Sequence, residues 1–156
     1  MQRDSQSAGG FTLVEILFVI VVTGILLTIA MIRFDPSITD KVIAQAASRK
    51  ISGSLFSARR LSISTDRVHY FELRPSGGPN YTEFQIFRID DDGTISPIET
   101  PIIFDSKINC VSANDSFSFT PSGSASKTGT IEIRCGGIIY YVKIYANTGM
   151  IVVEKG

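Results

Sequence analysis

The sequence predicts an α+β protein in which a long N-terminal helix is followed by an antiparallel β-rich head. Three observations predict it. Residues 16–32, ILFVIVVTGILLTIAMI, form a run of 17 residues without a charge. Ile43, Ala47, Ile51, Leu55, Ala58 and Leu61 then recur at three- and four-residue spacing, the period of an amphipathic helix. From Arg67 onward the apolar period falls to two, the signature of strands, and strands following one long helical region define the α+β class.

The chain has 156 residues, which suits one domain of ordinary size. Lys plus Arg and Asp plus Glu are 15 each, so there is no basic excess of the kind a general nucleic-acid binder carries. One His and two Cys exclude a zinc site built from four His and Cys ligands.

The apolar run extends back to Phe11, giving 22 residues interrupted only by Glu15. At about 1.5 Å per residue such a helix spans roughly 33 Å, close to a hydrocarbon core. A cleavable secretory signal fits poorly. The run is too long, its small residues (Ser7-Ala8-Gly9-Gly10) precede it, and Met31-Ile32-Arg33-Phe34 is a poor cleavage site. Glu15 is the anomaly, since a carboxylate inside a membrane helix costs about 2.5–3.5 kcal/mol unless it finds a partner. Arg3 favours a cytoplasmic start and Arg33 weakens that bias.

Asp35-Pro36 should interrupt the helix, with Ser37 or Thr39 capping a restart that runs to about Ser64. Residues 41–74 hold seven basic and two acidic residues, and residues 75–156 hold six basic and nine acidic. This asymmetry reads as a solvated helix face, as a surface for docking another subunit, or as a polyanion site using Arg59 and Arg60.

In the head, strands are expected at Val68–Arg74, Tyr81–Ile89, Ile108–Val111, Phe117–Thr120, Thr130–Cys135, Ile138–Tyr145 and Met150–Glu154. Asp90-Asp91-Asp92-Gly93 should turn the chain into a short further strand. The sheet should pack on the apolar face of the helix. Cys110 and Cys135 alternate with Ile108, Ile131 and Ile133, so both should point into that core.

The segment Gly9-Gly10-Phe11-Thr12-Leu13-Val14-Glu15 resembles the processing motif of type IV pilins and type II secretion pseudopilins. The resemblance implies cleavage after Gly10 by a prepilin peptidase, N-methylation of the new N-terminal Phe11, and pairing of Glu15 with the N-terminal amine of a neighbouring subunit. Two charges that are each costly in an apolar bundle neutralise one another there. The stem Ser57-Ala58-Arg59-Arg60-Leu61-Ser62-Ile63, the turn Phe119-Thr120-Pro121-Ser122-Gly123 and the ending Gly149-Met150-Ile151 resemble the GspH/FimT-type minor pilins and pseudopilins. The implied layout is a leader at 1–10, a transmembrane and filament-core helix at 11–34, an amphipathic stem at 35–66 and a β-rich periplasmic head at 67–156. The implied partners are other pilin or pseudopilin subunits, the prepilin peptidase and the bacterial inner membrane. Some members of this group bind DNA through a basic C-terminal region. Here the end, Met150 to Gly156, has one Lys and one Glu, which disfavours DNA as a partner.

A head outside the cytoplasm meets oxidising conditions, so a Cys110–Cys135 disulfide is expected, the alternative being two buried free thiols. Catalysis and cofactors find no support. His69 lies in a strand between Val68 and Tyr70 and reads as a packed residue, and no triad with other candidates is available. The three aspartates at 90–92 lack the spacing of a calcium loop, and no metal is expected. The function expected is a structural subunit of a pilus or secretion pseudopilus, acting in initiation or at the tip. The competing expectation is a membrane-tethered binding module that captures DNA or a surface ligand through its head.

Overall fold

In the computed structural model of the chain the described residues are 11–33, 36–75, 77–78 and 80–156, with only the backbone at 30–33 and 36. The chain divides into two units between Pro36 and Ser37. The leader, residues 1–10, and the Phe34-Asp35 junction lie outside the described residues.

The first unit contains α1, Leu13–Arg33. Its apolar side chains are exposed on every side, from Leu13 at 82% to Val22 at 37%. Among the described residues no helix is long and apolar enough to cross a membrane. The expected transmembrane segment over 11–34 also counts residues 30–34, whose side chains fall outside the description.

The second unit begins one residue into α2, Pro36–Thr65. Proline starts this helix instead of lying before it. Its missing N–H and fixed φ suit the first helical position, so Ser37 and Thr39 sit inside the helix and not at its cap. The buried face is Ala44, Ala47, Ile51, Leu55 and Ala58, with Ile43 and Leu61 at its margins. Ser48, Ser52 and Ser62 lie within that face. Their hydroxyls donate to the carbonyls of Gln45 (2.9 Å), Arg49 (3.0 Å) and Ala58 (2.8 Å), which removes the cost of burying them. Small side chains on this face let the backbone come close to the sheets.

Among the described residues nine strands follow, in two sheets where the sequence suggested one. Strands β1 (His69–Arg74), β2 (Glu83–Ile89), β3 (Ile95–Pro97) and β6 (Ser116–Phe119) form the first sheet in the order β3-β2-β1-β6. The two-residue strand β4 (Ile102–Ile103), which the sequence pattern did not disclose, also pairs with β2. It takes the Glu83 end of β2, and β3 takes the Ile89 end. Pro97 ends β3 and Pro101 immediately precedes β4, so neither proline has to give an N–H within a continuous ladder. Gln85 bridges the gap, its amide donating to the Glu99 carbonyl at 2.5 Å. Strands β5 (Asn109–Ser112), β7 (Gly129–Cys135), β8 (Ile138–Tyr145) and β9 (Met150–Lys155) form the second sheet in that order, antiparallel throughout.

Both sheets and α2 share one apolar core. The first sheet supplies Phe71, Leu73, Phe84, Ile86, Phe117 and Phe119, and the second supplies Ile131, Ile133, Val142 and Ile144. Phe71 and Phe84 are cross-strand neighbours whose ring centres lie 5.1 Å apart, within the range favoured by aromatic pairs. On the opposite face Tyr70 stacks on Phe87 at 5.1 Å, and the Arg74 guanidinium lies 4.9 Å from the Phe87 ring centre. Truncating Phe71 to Ala should therefore cost about 3–5 kcal/mol in urea unfolding, with a clearly smaller loss for Tyr70→Ala.

Candidate functional site

The N-terminal end of α1 is built by Thr12. Its hydroxyl accepts the Glu15 N–H at 3.3 Å, and its carbonyl accepts the N–H groups of Glu15 (3.0 Å) and Ile16 (3.2 Å). Thr12 is thus the cap and Glu15 the third helical residue, the Thr-x-x-Glu pattern of a capping box. The role of Thr12 was readable from that spacing, which the sequence reading had used only as part of the processing motif. Glu15 stands in the first turn, where the helix dipole favours negative charge. Phe11 and Glu15, four residues apart, share one face and line a shallow groove with Ile16, Val19 and Ile20. Gly10 lies outside the described residues. Further along, Thr28 donates its hydroxyl to the Gly24 carbonyl at 2.8 Å, so its polar group is satisfied within the helix.

In the second unit the sequence reading named Arg59 only as a possible polyanion contact and did not foresee its structural role. Its Nε donates to the Gly123 carbonyl at 2.9 Å and its Nη2 to the Thr148 carbonyl at 3.1 Å. One guanidinium therefore ties the stem to the β6–β7 turn and the β8–β9 hairpin together. The Phe119–Gly123 motif forms that turn, with Gly123 N–H donating to Thr120 O at 2.8 Å. Gly123 and Gly149 have positive φ, 81° and 59°. The two backbones approach so closely that a Cβ on Gly149 would fall on the Gly123 carbonyl oxygen. Arg59 directly follows the buried Ala58, at the border of the apolar face, and that position was the available signal. The polyanion reading that paired Arg59 with Arg60 is weakened, because Arg59 is committed to the fold while only Arg60 stays exposed.

The expected Cys110–Cys135 disulfide requires correction, because both cysteines are free and buried. They lie on paired strands as expected, but Cys110 stands opposite Ile133, two residues before Cys135. Such a diagonal offset separates Cα atoms by about 7–8 Å, beyond the roughly 6.8 Å limit for a bridge. Burial pushes the Cys110 thiol up to about 12. The Cys135 thiol is also raised, first by burial and then by Asp40, whose Oδ1 it meets at 3.7 Å.

The remaining candidates are structural. His69 is buried, with Nδ1 3.1 Å from the Arg67 carbonyl. Asp90 to Gly93 form the β2–β3 turn: Gly93 N–H donates to Asp90 O at 2.9 Å and Thr94 N–H to Asp92 Oδ1 at 2.9 Å. Arg67 reaches Asp90 (3.1 Å) and Asp91 (2.5 Å), and Arg88 lies 2.6 Å from Asp90. Among the described residues no three His, Cys, Asp or Glu side chains cluster to hold a metal. Tyr140 fills the core, Tyr141 is half-buried and Tyr145 is exposed.

Residues 6–31 match the family model described as the prokaryotic N-terminal methylation motif. The type IV minor pilin FimU of Pseudomonas aeruginosa superposes with a TM-score of 0.61 at 17% identity, over 75% of this chain and 92% of that one. A second crystal form of FimU gives 0.57 at 18% identity, over 70% and 91%. The fold is pilin-like. The minor pseudopilin EpsH from the type 2 secretion system of Vibrio cholerae shares it, with a TM-score of 0.58 at 10% identity over 72% of this chain and 97% of that one. No curated protein matches the sequence.

Gly149→Ala should lower head stability by about 2 kcal/mol or more through the backbone clash, and Arg59→Ala by about 1.5–3 kcal/mol by leaving two carbonyls without their charged donor, both read as denaturation midpoints. The Asp90 carboxyl is held below its ordinary value of 3.8, chiefly by Arg88 and then by Ser96. A lowered folded-state value stabilises above the ordinary carboxylate range and loses that contribution as pH falls through it. An NMR titration should show Asp90 titrating below the ordinary range, and returning towards it in Arg88→Ala.

Proposed function

We propose that the protein is a minor pilin or pseudopilin, a structural and non-catalytic subunit. It is cleaved after Gly10, methylated at Phe11, held in the inner membrane by α1 with its head in the periplasm, and then drawn into a filament with other pilin-like subunits. The observation that carries this reading is α1 itself: a helix apolar and exposed on all sides, with one carboxylate in its first turn, four residues after the methylation position. A helix apolar all round is stable only when surrounded, by lipid before assembly and by other helices afterwards. Glu15 then needs a counter-charge, and the amine created at Phe11 by cleavage supplies one. In a stack of helices the amine of one subunit meets the carboxylate of the next, and within one chain Phe11 and Glu15 line the same groove. The 17% and 10% identities to FimU and EpsH carry only the fold, and the role rests on the motif and the helix.

The test is to express the full chain with a prepilin peptidase and to read its intact mass and N-terminal peptide. The expected product begins at N-methylated Phe11, and retention of residues 1–10 beside a processed control overturns the reading. Substituting Gly10 with a bulky residue should leave the leader attached. Glu15→Ala should leave cleavage intact and reduce incorporation into filaments severalfold, and normal incorporation would sink the charge-pairing mechanism.

A further inference from the structure

The edge of a β-sheet presents backbone N–H and C=O groups that need a partner or protection. In the second unit most edges have one. On the outer side of β5, Tyr81 N–H donates to the Cys110 carbonyl at 2.9 Å. On the outer side of β6, Ser126 N–H donates to the Ser118 carbonyl at 2.9 Å, and the Ser126 hydroxyl accepts the Ser118 N–H at 3.3 Å. The other edge of the first sheet is broken into β3 and β4 and blunted by Pro97 and Pro101.

Strand β9 is the exception. It pairs with β8 alone, in a register that runs without a bulge from Met150 to Lys155. Gly156 N–H donates to the Ile139 carbonyl at 2.9 Å, which makes those two residues a hydrogen-bonded pair. By alternation Glu154, Val152 and Met150 also bond inward to β8. The N–H and C=O groups of Ile151, Val153 and Lys155 therefore point outward, and no backbone or side chain among the described residues meets them. Val153 is 39% exposed on this edge. The charged residues Glu154 and Lys155 stand at one end only, so Ile151 and Val153 are unguarded.

A row of outward backbone donors and acceptors recognises one kind of ligand, an extended strand. The residues of β9 indicate which strand. In an antiparallel pairing, outward-bonding residues must meet outward-bonding residues. A two-fold pairing centred on Val152 meets that condition. It sets Ile151 opposite Val153 of the second copy, Val152 opposite Val152, and Met150 opposite Glu154. Branched side chains then meet on both faces, and the charged end of each strand lies beside the uncharged end of the other. Centring on Val153 would instead set Lys155 against Ile151. A parallel pairing would run Glu154 beside Glu154 and Lys155 beside Lys155. We infer that β9 is a homotypic docking edge, to which a second copy of the chain adds its own β9 antiparallel, joining two four-stranded sheets into one. The contact lies wholly in the second unit, so it stands apart from leader cleavage and from the packing of α1.

The experiment uses the full chain in detergent micelles, oxidised with copper phenanthroline and run on non-reducing gels, with one cysteine added at a time. Across a non-hydrogen-bonded pair the Cα atoms lie about 4.5 Å apart, within disulfide reach. Val152→Cys should therefore form a disulfide dimer. Met150→Cys and Glu154→Cys should each give severalfold less dimer alone, and should cross-link when the two proteins are mixed. The native chain sets the background, since Cys110 and Cys135 are buried. Adding Val153→Pro to Val152→Cys removes an outward N–H, and should abolish the dimer while the β8–β9 ladder and the urea midpoint are kept. If that variant fails to fold, the pattern at 150, 152 and 154 decides. A monomeric Val152→Cys, equal yields at the three positions, or a folded Val153→Pro variant with undiminished yield overturns the proposal. So does a Val152→Cys cross-link to a different protein in membranes while the purified chain stays monomeric.

Discussion

The face of α2 formed by Ala44, Ala47, Ser48, Ile51, Ser52, Leu55, Ala58 and Ser62 is the constraint on which the rest of the head depends. Two sheets must share one helix as the third side of their core. That is possible because the helix offers mostly small side chains, and because its three buried serines bond to carbonyls of their own helix. Larger residues would push the helix away from the aromatic cluster of the first sheet. Unbonded hydroxyls would cost more than the packing returned. The phenylalanines of β1, β2 and β6 supply the volume that the helix lacks.

Packing holds the helix against the sheets, and Arg59 fixes its register against the two late turns. Its bonds reach residues 64 and 89 positions away in sequence, so a single side chain joins the stem to both ends of the second sheet's connections. The glycines at 123 and 149 are what allow those turns to meet. Gly149 cannot carry a side chain in that space.

The two units solve opposite problems. The head gathers its aromatic and branched side chains into one buried core and holds both thiols buried, with burial raising their pKa. The helix α1, over its described side chains, exposes apolar residues on every side. The head is thus stable by its own contacts, and the helix only in company. Its one carboxylate lies on the groove that Phe11 begins.

The sequence by itself determined everything that local chemistry writes. The methylation motif was legible because it is written in residue order along a short stretch, residues 6–31, without reference to a fold. Strand β8 was legible to the residue because alternation is a property of neighbours along the chain. Tertiary structure alone decided what depends on partners. It split one expected sheet into two, because pairing order is set by which strands meet and not by their patterns. It added β4, too short to carry a period. It placed Cys110 opposite Ile133 instead of Cys135, since a two-residue shift in register preserves which face a side chain points to while moving it out of bonding reach. And it recruited Arg59 from a row of apparently solvent-facing cations, because its two acceptors are backbone carbonyls that come together only when the late turns have folded onto the stem.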